Sequence, residues 1–143
     1  MAITQISVFL ENRAGQLSEI TKILSDNNID LKALNIAETA DYGVLRLIAD
    51  DSQRASAVLL EHGFILSMTP VAAIAVPDEP GGLNRLLQVL SEQHVDIEYM
   101  YSVFGRTNGH AYMIFRVSDP EGLAAIASAA GLHPADGAEL GVC

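Results

Sequence analysis

The chain is written twice. Glu11–Leu31, ENRAGQLSEITKILSDNNIDL, falls without a gap on Pro77–Ile97, PDEPGGLNRLLQVLSEQHVDI, at an offset of 66 residues. Gly15 then meets Gly81, Leu17 meets Leu83, Leu24 meets Leu90, Ser25 meets Ser91 and Asp30 meets Asp96. Asp51 and Gly63 find their counterparts at Asp119 and Gly131, an offset of 68, so the second copy holds two extra residues in the loop between its middle strands. Where identity fails the chemistry holds: Ile20/Leu86, Ile23/Val89, Ile29/Val95 and Leu31/Ile97 exchange apolar for apolar. A fixed period of this length means one folding unit used twice, here expected over residues 1–69 and 70–143. Each copy is near the lower size at which a core suffices by itself, so the two are expected to support each other.

Each copy parses into the same six elements. Ile6, Val8 and Leu10 alternate with Gln5 and Ser7, the pattern of a strand with one buried face. After the turn at Asn12–Gly15, Leu17, Ile20, Ile23 and Leu24 recur at helical spacing with polar residues between them. Asn27 and Asn28 end that helix, Ile29–Ile36 reads as a second strand, Asp41, Tyr42 and Gly43 as a turn, and Val44–Ala49 as a third strand. Asp51 and Ser52 cap a helix that Gly63 stops, and Phe64–Thr69 closes the unit. The second copy follows with strand Val71–Val76, turn Asp78–Gly82, a helix on Leu83, Leu86, Leu87 and Leu90, and strands Val95–Val103 and Ala111–Val117. Its second helix opens with Asp119 as cap and Pro120 at the first position, ends at Gly131, and leads to a last strand expected near Glu139–Val142.

The order β-α-β-β-α-β with right-handed crossovers defines an α+β fold. It predicts two tandem ferredoxin-like βαββαβ sandwiches, each an antiparallel sheet with both helices on one face. The uncovered face would carry Val44 and Ile48 in one third strand and Tyr112 and Ile114 in the other. That is more apolar than a solvated face, so a covering partner is expected there, self-association being the simplest.

Charge narrows the function classes. Eight basic against eighteen acidic residues give a net charge of -10, which repels nucleic-acid phosphates and anionic membrane surfaces. Val71–Val76, the longest apolar stretch, is far shorter than the ~18 residues of a membrane span. Cys143 stands alone at the end and cannot form an internal disulfide, and Met1–Leu10 lacks the basic start of an export signal. A cytoplasmic protein that binds neither nucleic acid nor membrane is expected.

No catalytic constellation assembles. His62, His94, His110 and His133 lack metal-ligand spacing, Cys143 has no fixed neighbour to activate it, and Asp50, Asp51, Glu92 and Asp119 lie at helix edges where capping and solvation account for them. The expectation is a chain that is not an enzyme and holds neither metal nor cofactor.

The informative positions are the two turns, ENRAGQL and PDEPGGL, each joining a strand to the start of an amphipathic helix. Glycine lets the backbone approach a ligand, and the first helical amides point outward unpaired, which suits a carboxylate. A tight turn that needs glycine for geometry alone has the same appearance. Asn12 and Asp78 occupy equivalent places, where a short acceptor side chain either caps the helix or accepts an ammonium group.

PDEPGGLNRLLQVLSEQHVDIEYMYS resembles the ACT domain, whose first strand commonly ends in an Asp-x-Pro-Gly-x-Leu motif, supplied here by Asp78, Pro80, Gly81 and Leu83. The first copy keeps Gly15, Leu17, Ile29 and Asp30 but has Asn12 for the acid and Ala14 for the proline. The resemblance spans residues 3–142, and the chain is similar to small proteins made only of two ACT domains.

That resemblance implies a regulatory, allosteric module that binds an amino acid between ACT modules, one module's first loop facing another's second strand. Carried onto this chain, the loop residues are Asn12, Arg13, Ala14, Gly15, Gln16 and Leu17, and Asp78, Glu79, Pro80, Gly81, Gly82 and Leu83. The facing strands offer Leu34, Asn35 and Ile36, and Tyr99, Met100, Tyr101 and Ser102. Helix-start amides would take the carboxylate, Asp78 or Asn12 the ammonium group, and Met100 with Tyr101 an apolar or aromatic side chain. Tyr99 and Tyr101 share a strand face, which equally suits core or dimer contact. The expected assembly is a homodimer acting on a partner enzyme, and the competing expectation is a module that scaffolds such an enzyme and binds no ligand.

Overall fold

The structure, a computed structural model, describes residues 2–11, 13–38, 42–105 and 107–143. They divide into two compact units. The first comprises Thr4–Thr69 with Gly141–Cys143; the second comprises Pro70–Leu140 with the N-terminal residues up to Ile3.

In the first unit, strand β1 (Ile3–Glu11), helix α1 (Gln16–Asp26), strands β2 (Leu31–Glu38) and β3 (Tyr42–Ala49) and helix α2 (Ser52–Glu61) lead into strand β4 (Leu66–Pro77). β3 lies between β2 and β1, antiparallel to both, with Val8 opposite Leu45 and Leu34 opposite Leu47. β4 is the next neighbour of β1, and the Phe9 amide donates to the Ile65 carbonyl at 2.9 Å. Strand alternation puts Ile6, Val8 and Leu10 on one face, where they pack with Leu45 and Leu47 against Ile20, Ile23 and Leu24 of α1 and Ala55 and Leu59 of α2. Full burial of each large aliphatic side chain in this layer contributes about 1.5–3 kcal/mol.

The second unit takes β4 from Pro70 onward, helix α3 (Gly82–Glu92), strands β5 (Tyr99–Ser102) and β6 (His110–Arg116), helix α4 (Pro120–Ala129), strand β7 (His133–Ala135) and the four-residue helix α5 (Gly137–Leu140). β6 pairs with β4, Ile74 opposite Met113, and with β5, Tyr101 opposite Ile114; β7 pairs with β4 on its other side. Ala72, Ile74, Val76 and Phe115 pack against Leu86 and Leu90 of α3 and Leu123 and Ala127 of α4. Both units therefore have the antiparallel β-α-β-β-α-β arrangement with helices on one face.

Helix punctuation repeats as the sequence does. Asp51 accepts from the Arg54 amide at 3.1 Å and Asp119 from the Gly122 amide at 3.0 Å, each capping its helix. Asn28 and His94, both at φ 56, turn the chain back after α1 and α3. Ile29 and Val95 then return their amides to Leu24 and Leu90 at 2.9 Å.

Several expectations need correction. The closing strand of the first copy and the opening strand of the second are one strand, β4, through Pro70. Tyr42 and Gly43 belong to β3, where Gly43 pairs with both Leu10 and Glu38, and Asp41 lies outside the described residues. The second strand of the second copy is confined to Tyr99–Ser102. Glu139–Val142 is not a strand: β7 comes earlier, at His133–Ala135, because Asp136 accepts from the Glu139 amide at 2.9 Å and starts α5 instead.

Candidate functional site

The two glycine turns share one backbone. Gly15 (φ 86, ψ -7) and Gly81 (φ 87, ψ -10) are the N-caps of α1 and α3, and neither helix start receives a side-chain cap hydrogen bond. Asn12 lies outside the described residues. Within each turn the Arg13 and Glu79 amides donate to the Glu11 and Pro77 carbonyls at 2.9 Å, and the Glu19 and Arg85 amides to the Gly15 and Gly81 carbonyls. The amides of the first helical residues have no partner inside the helix by geometry, and the helix dipole makes that end positive.

Around the first turn the chain leaves a cavity of about 180 Å³ lined by Leu10, Glu11, Arg13, Gly15, Gln16, Leu17, Ile36 and Gly43. Gly15, Gln16, Leu17 and Ile36 were expected at a ligand site, and they come together here. Ala14 is exposed in the turn beside them. Leu34 packs on the core beneath the helices, and Asn35 lies on the opposite sheet face, where it accepts from Arg46 Nη1 at 3.4 Å.

Leu10, Glu11 and Gly43 were missed. Their place follows from register: Leu10 ends the inward row of β1 directly before the turn, and Gly43 is its partner on β3, with no side chain to close the space between them. A second cavity, of about 300 Å³, shares Leu10, Glu11, Arg13 and Gln16 and continues past Glu19 to His62, Phe64 and Ile65. Arg13 stands between two carboxylates, its Nε 3.4 Å from Glu11 and its Nη2 3.3 Å from Glu19. Exposed ion pairs of this kind are worth about 0–1 kcal/mol, so an arriving carboxylate can compete for the guanidinium.

Gln16 differs from the other polar groups of the turn among the described residues. It is 7% exposed, and its Oε1 is buried without a hydrogen-bond partner among the described residues. A buried acceptor left in this state costs about 1–3 kcal/mol.

At the second turn, Asp78, Pro80 and Gly81 are exposed, Gly82 is buried, and Leu83 packs on the core of its unit. A Cβ on Gly82 would overlap the Pro77 carbonyl oxygen, so this position excludes the side chain that Gln16 carries at the equivalent place. On β5, Tyr99 and Tyr101 stack on each other with ring centroids 6.5 Å apart; Tyr101 is 7% exposed, Met100 packs partly on the core, and Ser102 is exposed.

The described residues contain no group of three or more histidine, cysteine or carboxylate side chains able to hold a metal, and no helix long and apolar enough to cross a membrane.

The family profile of the ACT domain pair matches residues 1–129. The chain belongs to that family. This ACT domain pair is 37% identical to protein BT0572 from Bacteroides thetaiotaomicron, whose crystal structure superposes with a TM-score of 0.90 over 98% of this chain and 96% of that one. The regulatory subunit of aspartate kinase from Thermus thermophilus shares the fold at 14% identity, with a TM-score of 0.65 over 89% of this chain and 91% of that one. Its counterpart from Thermus flavus does so at 16% identity and 0.59, over 89% and 88%. Among curated proteins no sequence matches.

Proposed function

We propose that this ACT domain pair is a non-catalytic regulatory protein that senses a small amino acid, bound at the first glycine turn. The observation that carries the reading is the cavity at the start of α1, which gathers three kinds of recognition at one place. The helix-start amides, which have no acceptor within the helix itself, and Arg13 suit a carboxylate, Glu11 suits an ammonium group, and Leu10, Leu17 and Ile36 suit the carbon skeleton between them. Its volume of about 180 Å³ falls below the roughly 300–1,000 Å³ of sites for drug-sized ligands. A metabolite as small as an amino acid fits that scale. The second turn, with Asp78 as ammonium acceptor, is a further site of different affinity, because Asp78 and Pro80 replace Asn12 and Ala14.

The protein works in the cytoplasm as a homodimer, the module of a second copy closing the exposed rim of the first-turn cavity formed by Gly15 and Ile36. The signal leaves through a ligand-biased change in that association. A receiving partner enzyme is favoured by one feature: Phe9, 47% exposed, and Ile65, 70% exposed, are joined by the hydrogen bond from the Phe9 amide to the Ile65 carbonyl just before β4 and present apolar surface to solvent. The fold shared with the regulatory subunits of aspartate kinase supports this reading.

Thermal unfolding against each standard amino acid tests the reading. Ligand at a hundredfold its dissociation constant adds ~2.7 kcal/mol, and at ~2–4 °C per kcal/mol for a chain near this size the midpoint rises by several degrees for the cognate amino acid. A flat response to all of them rejects the sensor.

A further inference from the structure

We propose that the second unit holds a pocket for a guanidinium group at the end of α3, a place that the first unit fills with its own Arg54. The pocket lies in the other unit from the first-turn site and does not rest on the amino-acid reading of that turn.

The repeat supplies the comparison. In the first unit Arg54 stands in the first turn of α2, its amide bound to Asp51 Oδ1 at 3.1 Å, and its side chain crosses to the end of α1, where Nη2 donates to the Asn27 carbonyl at 2.9 Å. A helix end of this kind is negative and favours a cation. In the second unit Asp119 caps α4 in the same way, through the Gly122 amide at 3.0 Å, and Gln93 takes the place of Asn27 after α3. Gly122 is the counterpart of Arg54, at the offset of 68 that also relates Asp51 to Asp119. Where the first unit has a guanidinium, the second has a cavity of about 210 Å³ with His94 and Gly122 among its walls.

The walls define what enters. Val95, Val117, Leu123 and Ile126 give an apolar floor, which suits the methylene stem of a long cation. Asp96 and Asp119 stand at the exposed rim, and neither has an ion pair among the described residues. Asp119 Oδ2 lies against the position a Gly122 Cβ would take, so this carboxylate leans into the space from which Arg54 sets out in the first unit. The counterpart of Asp96, Asp30, pairs with Lys32 Nζ at 3.0 Å; the second unit has Glu98 in the place of Lys32, and Glu98 lies 3.5 Å from Arg116 Nε. Ser118 replaces Asp50, so the second unit keeps two of three carboxylates and neither lysine nor arginine at this end. A guanidinium fork on an alkyl stem meets both the carboxylates and the negative helix end. Its source is a free arginine-like metabolite or an arginine residue of another protein.

Titrations followed by amide chemical shifts of the isotopically labelled full-length protein test the pocket. The probes are agmatine, which has the guanidinium and stem without a carboxylate, Nα-acetyl-arginine amide, which is an arginine residue with blocked ends, and Nα-acetyl-citrulline amide, its neutral isostere. At least one cationic probe is expected to move the His94, Asp96 and Gly122 resonances in a saturable way and to bind about fivefold or more tightly than the citrulline derivative. Tighter binding of the blocked arginine assigns the pocket to another protein's arginine, and tighter binding of agmatine to a free metabolite. Gly122→Arg supplies the missing side chain from within and is expected to abolish the response at His94 and Asp96; Arg54 beside Asp51 shows that this helix start accommodates such a side chain. Resonances that stay in place with both cations, a citrulline derivative bound as tightly, or a response that survives in Gly122→Arg overturns the proposal. Should Gly122→Arg fail to fold, Asp96→Asn is expected to weaken binding about threefold, and an unchanged affinity in that variant overturns the proposal equally.

Discussion

Gly81 and Gly82 are neighbours in sequence with different reasons to be glycine. Gly81 sits at φ 87 with open space around the position of a Cβ, so alanine there meets only backbone strain, about 1–2 kcal/mol. Gly82 has no strained dihedral but is pressed against the Pro77 carbonyl oxygen, so alanine there must displace the strand end or the helix start. Urea denaturation is expected to show Gly82→Ala as the more destabilised variant; the reverse order, or equal losses, would mean that the turn yields to a side chain. The Gly-Gly pair was visible in the sequence, but its division of labour was not. Likewise the repeat aligned Gln16 with Gly82, yet only tertiary packing leaves the Gln16 amide oxygen without a partner.

At the scale of elements, legibility followed the strength of the local signal. α1 and α3 carry an apolar stripe at helical spacing and were readable to within a residue or two, and Asp51 and Asp119 announced the caps of α2 and α4. The C-terminal segment misled, because Leu140 and Val142 imitate strand alternation while Asp136 supplies a helix start three residues before Glu139. α5 so formed brings the Glu139 carboxylate 2.7 Å from His133 Nε2 and within 3.5 Å of the Tyr112 hydroxyl. Desolvation first, then the charge of Glu139 and its hydrogen bond, raises the Tyr112 pKa above its ordinary value. A phenol with a raised folded pKa binds its proton more tightly folded than unfolded. The stabilisation is thus complete below about pH 10 and is lost as pH rises through the folded value. Tyr112→Phe, which cannot ionise, is expected to flatten the alkaline decline in the unfolding midpoint, and an unchanged decline would show that other groups set it.

For the molecule as a whole, the repeat was the strongest signal, and it specified two β-α-β-β-α-β units before any single element was certain. What it could not convey is how the copies share their ends: β4 runs unbroken through Pro70, and the two termini group with the opposite unit from the one their sequence position suggests. The first-turn cavity was half legible, through Gly15, Gln16, Leu17 and Ile36, since the motif marks the helix start whereas Leu10 and Gly43 enter only through strand register. The central claim is that an amino acid sits against the start of α1, and amide chemical shifts report it most directly. When each standard amino acid is titrated into isotopically labelled protein, at least one is expected to move the Gly15, Gln16 and Leu17 amide resonances in a saturable way. If those three amides stay in place throughout, the first turn is not the ligand site.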